Sequence, residues 1–168
     1  MASGLYALPF KNNLTQVTNF QIDFDDTTAG RFKCMLVTSA YTPNFDTDSV
    51  FANVSNEVTG TGYTAGGEAL TGVTFAISGG TITWDAGDVT WTGSTITNAA
   101  AAVIYNTSEA NDPLIAYVDF GGGITRFCTG LAGWLVPQPN QQKQAAASAD
   151  LWRGKCRAAI GPGHGKQL

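Results

Sequence analysis

The chain has 168 residues, enough for one domain with a hydrophobic core, and only 13% of them are charged, whereas 43% are hydrophobic. An average soluble domain is about 25% charged. Threonine, serine, asparagine and glycine must therefore cover much of the surface, which is more typical of adhesive or assembled β proteins than of soluble enzymes. Three cysteines, an odd number without close spacing, argue against a disulfide framework and against a zinc site.

Charge is distributed unevenly along the chain. Residues 1–120 carry three basic and twelve acidic side chains, a net charge of −9, whereas residues 121–168 carry six basic side chains and one acidic, a net charge of +5. Opposite charges attract at short range, so this break predicts that the basic end of one copy can lie on the acidic body of another.

The first third of the chain predicts two strands and one helix. Residues 5–16 fit either a short helix, which Pro9 interrupts, or an extended lead-in. Apolar residues alternate with polar ones over residues 20–24, which indicates a half-buried strand, and the more continuously apolar residues 32–37 indicate a central strand. Residues 49–54 are predicted to form a short helix capped from residues 46–48.

The middle of the chain is rich in glycine and in short alternating runs. Residues 59–67 are predicted to be a loop, because four glycines in nine residues disfavour a strand interior. The clearest predicted hairpin joins residues 81–85 to residues 88–92, so that Ile82 and Trp84 share a packed face with Val89 and Trp91. The strands and turns predicted around it are residues 69–77, the turn Gly79-Gly80 and the turn Ala86-Gly87.

Two further strands, residues 99–105 and 114–120, precede the turn Gly121-Gly122-Gly123. Closely spaced strands with glycine-rich turns predict an all-β fold: a single antiparallel β-sandwich or open barrel with one short helix and a C-terminal arm. The predicted domain organisation is a β-sandwich body over residues 1–123 and an extension or arm over residues 124–168. We expect Cys34, inside an apolar run, to be buried.

Several segments resemble a family of short proteins encoded in the structural-gene regions of tailed phages and prophages. The resemblance covers roughly residues 5–123 and implies a virion component, either a head decoration (cement) protein or a tail-associated protein. The residues that carry it are Val37-Thr38-Ser39-Ala40-Tyr41-Thr42-Pro43-Asn44, Asp46, the run from Phe51 to Gly67, Asp88-Val89-Thr90-Trp91, Ala102-Val103-Ile104-Tyr105 and the run from Leu114 to Gly122.

The C-terminal end departs from the family pattern. Members usually finish soon after the glycine-rich turn with one more alternating strand, whereas about 45 unrelated residues follow here. Two explanations stay open: a basic arm that docks on neighbouring subunits, or a shifted reading frame that replaced the last strand.

Few residues are candidates for a reactive site. The single histidine, His164, lies in a Gly-Pro-Gly-His-Gly tail that would not hold it in catalytic geometry, so we predict no enzyme and assign no catalytic, cofactor-binding or metal-ligating residue. A calcium site at Asp46 and Asp48 is the weaker alternative to solvated turn carboxylates. The interface candidates are Tyr41, Phe45 and Tyr63 in loops, with Trp152 and Arg153 in the arm.

The sequence therefore favours a structural protein of a tailed-phage virion, with a capsid decoration protein as the most specific hypothesis. Its expected partners are other virion subunits, above all the major capsid protein, and further copies of itself, with a trimer favoured. Assembly is expected in the host cytoplasm, with no cofactor, no membrane segment and no signal peptide, and nucleic acid is not expected as a partner. The alternative is a tail-associated module that binds a carbohydrate or a receptor, to which the calcium site would belong.

Overall fold

A computed structural model describes residues 2–127 of the chain, with side chains up to Gly121. Antiparallel strands and one α-helix make up its regular structure, which confirms the predicted all-β class with a short helix. The elements are β1 Gly4–Leu5, α1 Ala7–Leu14, β2 Phe32–Thr38, a 3₁₀ turn Phe51–Asn53, β3 Glu68–Ala69, β4 Thr74–Ser78, β5 Thr81–Asp85, β6 Thr95–Asn106 and β7 Leu114–Phe127.

The main sheet has five strands in the order β1-β7-β6-β2-β3, and β4 and β5 form a separate two-stranded sheet. Within the main sheet Phe32 is opposite Asn106, and Tyr105 is opposite Leu114. The start of β2, the end of β6 and the start of β7 therefore lie at the same end of the sheet, which we call the Phe32 end.

Both faces of the main sheet are covered. One face packs Phe32, Cys34 and Leu36 of β2 against irregular segments that include the fully buried Trp91, and the predicted burial of Cys34 and Trp91 is confirmed. The opposite face packs Met35 and Val37 against the N-terminal segment and the loops around residues 41–54. Because side chains alternate between two buried faces, β2 and β6 are continuously apolar, which explains the pattern that predicted a central strand.

The predicted strand at residues 20–24 is wrong. Ile22 is buried and its neighbours are exposed or half-buried, so the alternation is real. However, among residues 2–127 the segment pairs with no strand, and Ile22 instead donates its amide to the carbonyl of Phe20, 3.0 Å away. Alternation indicates which side chains face inward, not where the backbone hydrogen bonds go.

The predicted hairpin between residues 81–85 and 88–92 is also wrong. β5 pairs instead with β4 across Gly79-Gly80, with Phe75 opposite Trp84 and Ile77 opposite Ile82. Both turn glycines have positive φ, 56° and 77°, which a tight two-residue hairpin turn requires. Ile82, expected on a packed face, is 64% exposed.

Three boundaries differ from prediction. Pro9 does not interrupt α1, because it lies in the first turn, where its missing N–H has no intrahelical acceptor in any case. Gly121-Gly122-Gly123 does not end the last strand: β7 continues to Phe127, opposite Thr95, beyond the end predicted at Phe120. The helix predicted at residues 49–54 is only the 3₁₀ turn.

Candidate interaction surface

Tyr41 and Phe45, predicted as surface contacts, face inward. Tyr41 is only 3% exposed, so the expectation that its ring lies on the surface is wrong. Phe45 is half-buried, and its ring centroid lies 5.5 Å from that of Tyr6 and 6.3 Å from that of Tyr117. The loop around Pro43 thus covers one face of the sheet, which limits its use as an outer contact.

A chain of hydrogen bonds fixes this loop. The Tyr41 hydroxyl donates to Asp48 Oδ2 (3.0 Å), so its oxygen must accept the proton of the Tyr6 hydroxyl, 2.9 Å away. Burial raises the pKa of Tyr41 to about 12, and burial followed by the bond to Tyr41 raises the pKa of Tyr6.

Tyr63, the third predicted contact, is half-buried against the core and serves as a structural bridge. Its hydroxyl accepts the Leu36 amide (3.0 Å) and donates to Glu57 Oε1 (2.7 Å), which also accepts the Gly66 amide (2.6 Å). Burial raises the pKa of Tyr63. The loop predicted at residues 59–67 is thereby tied to β2.

The Asp48 carboxylate is engaged by hydrogen bonds within its own loop. Asp48 Oδ2 accepts hydrogen bonds from the Tyr41 hydroxyl and from the Asn44 amide (2.9 Å). These bonds hold the loop together, whereas the sequence predicted that this residue caps a helix. Within the described part of the chain, no three histidine, cysteine or acidic side chains are grouped as metal ligands. The remaining interface candidates, Trp152 and Arg153, and the residue His164 lie outside the described residues.

Six of the seven large hydrophobic side chains that remain exposed among the described residues lie in two neighbouring elements. In α1, Phe10 and Leu14 are about one helical turn apart, and Val17 follows just after the helix ends at Leu14. On the β4–β5 hairpin the exposed apolar residues alternate along each strand. Together with Phe24, which lies between the two elements, we call them the apolar strip. Its residues are Phe10 (44% exposed), Leu14 (68%), Val17 (41%), Phe24, Phe75 (43%), Ile77 (74%) and Ile82 (64%).

Phe24 joins the two halves of the strip. Its ring centroid lies 6.4 Å from that of Phe10, 6.2 Å from that of Phe75 and 6.3 Å from that of Trp84. Trp84 also donates its indole N–H to the Phe24 carbonyl (3.0 Å) and packs edge-on against Phe32 at 5.2 Å. The apolar strip is therefore anchored at the Phe32 end of the sheet, and its hairpin tip extends beyond the core.

Acidic residues outnumber basic ones in the sequence next to the apolar strip, where Lys11 follows Phe10. Asp23 and Asp25, both exposed, flank Phe24, and Asp85 follows Trp84 at the base of the hairpin. Arg31 is 3.4 Å from Asp26, whose pKa is lowered mainly by hydrogen bonds from Thr28 and also by this guanidinium.

Sequence reasoning missed the apolar strip as a surface. Alternation correctly places Ile82 and Trp84 on one face, but it does not tell whether that face meets a core or solvent. The composition of the hairpin could have indicated the surface. Residues 74–85 contain a single charged residue, Asp85, in two short strands.

The comparisons with known proteins give no further guide. No family model, no curated protein and no solved structure matched this chain. Of the residues that the structure describes, none belong to a helix long and apolar enough to cross a membrane.

Proposed function

We propose that this protein is a structural component of a tailed-phage virion, most specifically a non-catalytic capsid decoration protein that acts through contacts between subunits. The observation that carries the assembly role is the apolar strip. Its partners in this proposal are the major capsid protein and further copies of itself, with a trimer favoured, and its place is the assembled particle.

The apolar strip supports an assembly role because its side chains are exposed at high cost. Complete burial of such a side chain contributes about 1.5–3 kcal/mol relative to full exposure, so side chains that are 41–74% exposed forgo part of that gain. Contiguous apolar patches on soluble proteins mark contact sites. Ile77 and Ile82 are directly opposite each other, so the tip presents a flat pair of β-branched side chains that a partner can cover. The low charge of the chain is consistent with large buried contacts.

The hydrogen bonds of the tyrosine side chains favour capsid decoration over a sugar-binding tail module. A carbohydrate site would present exposed, coplanar rings, but the Tyr41 and Tyr63 hydroxyls are committed to internal hydrogen bonds. The phage assignment itself rests on the resemblance over residues 5–123, and the tail-associated module remains the alternative location.

Immunogold electron microscopy of particles tests the proposal. Antibodies raised against the full chain are expected to label heads, and heads stripped of the protein are expected to lose DNA at a lower temperature than intact heads. Label confined to tails would replace capsid decoration by the tail-associated alternative. Absence of the protein from purified particles would contradict a virion role altogether.

A further inference from the structure

The apolar strip is flanked by acidic side chains, and one stretch of the same chain has the complementary chemistry. Resting on the proposed assembly function, we propose that residues 151–160 of a neighbouring copy bind the apolar strip. This segment reads Leu-Trp-Arg-Gly-Lys-Cys-Arg-Ala-Ala-Ile and combines three basic side chains with large apolar ones, without an acidic residue.

Charge complementarity selects this occupant. Residues 1–120 have a net charge of −9, Asp23 and Asp25 flank Phe24 in the sequence, and Asp85 follows Trp84. Lys11 is the one basic residue in the segments that form the apolar strip. A second copy of the apolar strip would bring these like charges together, whereas Arg153, Lys155 and Arg157 would oppose them.

Apolar complementarity selects the same segment. Leu151, Trp152 and Ile160 can cover the exposed isoleucines of the hairpin, and a buried tryptophan with an arginine beside it is the composition of binding hot spots. The expected docking position places Trp152 over Ile77 and Ile82, with the basic side chains towards Asp23 and Asp25.

The chain between the end of β7 and residues 151–160 is long enough to reach a neighbouring copy. Phe127 is paired with Thr95, at the opposite end of β6 from the Phe32 end, and β6 spans about 40 Å. The 23 residues from 128 to 150 can extend over about 75 Å. Reach therefore permits contact with an adjacent subunit, as the proposed assembly function requires.

Two full-length variants and two matched controls test the contact. The strip variant carries Ile77→Thr and Ile82→Thr, and its control carries Ala76→Thr and Ser78→Thr on the polar face of the same hairpin. The segment variant carries Trp152→Ala, Arg153→Gln and Arg157→Gln. Its control carries Lys143→Gln and Lys166→Gln, which also remove two positive charges but lie outside residues 151–160.

Self-association is measured by sedimentation equilibrium at low and high salt. We expect the natural chain and both controls to associate at low salt, more weakly at high salt, and each test variant to raise the dissociation constant about tenfold or more. An equimolar mixture of the two test variants retains one intact strip and one intact segment, so it is expected to form heterodimers that stop at two subunits.

The remaining outcomes overturn the proposal in distinguishable ways. If only the strip variant weakens association, another surface occupies the apolar strip, although the assembly function stands. If the natural chain is monomeric and residues 151–160 resist protease only when the apolar strip is intact, the contact is within one copy. Association unchanged in both variants eliminates the contact, whereas failure of the virion proposal is decided separately by microscopy.

Discussion

Tyrosine hydroxyls hold together segments that are far apart in sequence. Tyr63 contacts β2 27 residues earlier in the chain, and Tyr105 donates to the Gly66 carbonyl 39 residues earlier, at 2.6 Å. Each hydroxyl replaces water at a buried backbone group, so its removal would leave that group without a partner. Single oxygen atoms therefore determine how the glycine-rich loop lies on the sheet.

Tyr63→Phe should lower the free energy of unfolding by about 1–3 kcal/mol, because the Leu36 amide and Glu57 each lose a hydrogen-bond partner. The matched control is Tyr117→Phe: Tyr117 is also buried, at 3% exposed, but its hydroxyl has no hydrogen bond within the described part of the chain. Urea denaturation of both variants measures the difference. Equal losses would contradict a specific role for the Tyr63 hydroxyl.

At the scale of single residues, the sequence predicts burial better than it predicts hydrogen bonding. Cys34 is expected inside because it lies in an apolar run, and Trp91 because it shares a strand face with Val89; both are 1% exposed. Tyr41 is expected outside because its loop is polar and contains Pro43. Its burial depends on Tyr6 and Asp48, and no local pattern links a tyrosine to a partner 35 residues away.

At the scale of elements, the pairing of β2 with β3 depends on a glycine. Gly67, just before β3, has a φ of 73°, and a Cβ there would lie 1.9 Å from the Cys34 carbonyl oxygen. Backbone atoms of β2 cannot yield without breaking sheet hydrogen bonds. The β2–β3 pairing is therefore possible only with glycine at this position.

Gly67→Ala should lower the free energy of unfolding by about 4 kcal/mol or more, a large share of the stability of an ordinary domain. Gly30→Ala is the control, because Gly30 also has a positive φ (84°), but a Cβ there would have no atom within 4 Å. It should cost only the backbone strain, about 1–2 kcal/mol. Thermal unfolding compares the two variants. Similar melting temperatures would show that β2 and β3 can move apart with little loss of stability.

The β4–β5 hairpin shows why element boundaries are only partly predictable. Composition predicts the Gly79-Gly80 turn and β5, but the matching alternation of Trp84 and Trp91 assigns residues 88–92 as the partner of β5. Trp91 instead packs in the core with Tyr63, at a centroid distance of 5.8 Å. Alternation fixes the face of a residue within its own strand, and tertiary packing selects the neighbour.

Phe24→Ala should loosen the hairpin without unfolding the sheet. A two-stranded hairpin is marginal by itself, and Phe24 contacts both Phe75 and Trp84, in addition to the direct packing of Trp84 on Phe32. Hydrogen exchange should quicken in β4 and β5, corresponding to about 2 kcal/mol of lost protection, with β2 and β6 little changed. Phe10→Ala, on the α1 side of the same ring cluster, is the control, and uniform quickening throughout would contradict the separate stability of the hairpin.

At the scale of the whole molecule, tyrosines are buried on both faces of the main sheet. Tyr6, Tyr41 and Tyr105 pack on one face and Tyr63 lies against the other. Burial raises the pKa of each of them, so their hydroxyls stay neutral at a pH where tyrosines of the unfolded chain already ionise.

Stability should therefore be lost at alkaline pH. Above the unfolded pKa of about 10 the unfolded chain releases tyrosine protons that the folded chain keeps, so the stabilisation is complete below pH 10 and falls as pH rises, through about 12 for Tyr41. Each such tyrosine contributes a loss of about 1.4 kcal/mol per pH unit in this range. Absorbance at 295 nm and circular dichroism should change together, because ionisation of the buried rings requires unfolding. A full tyrosine titration near pH 10 with the β-sheet signal unchanged would contradict this coupling and would show that the hydroxyls reach water in the native fold.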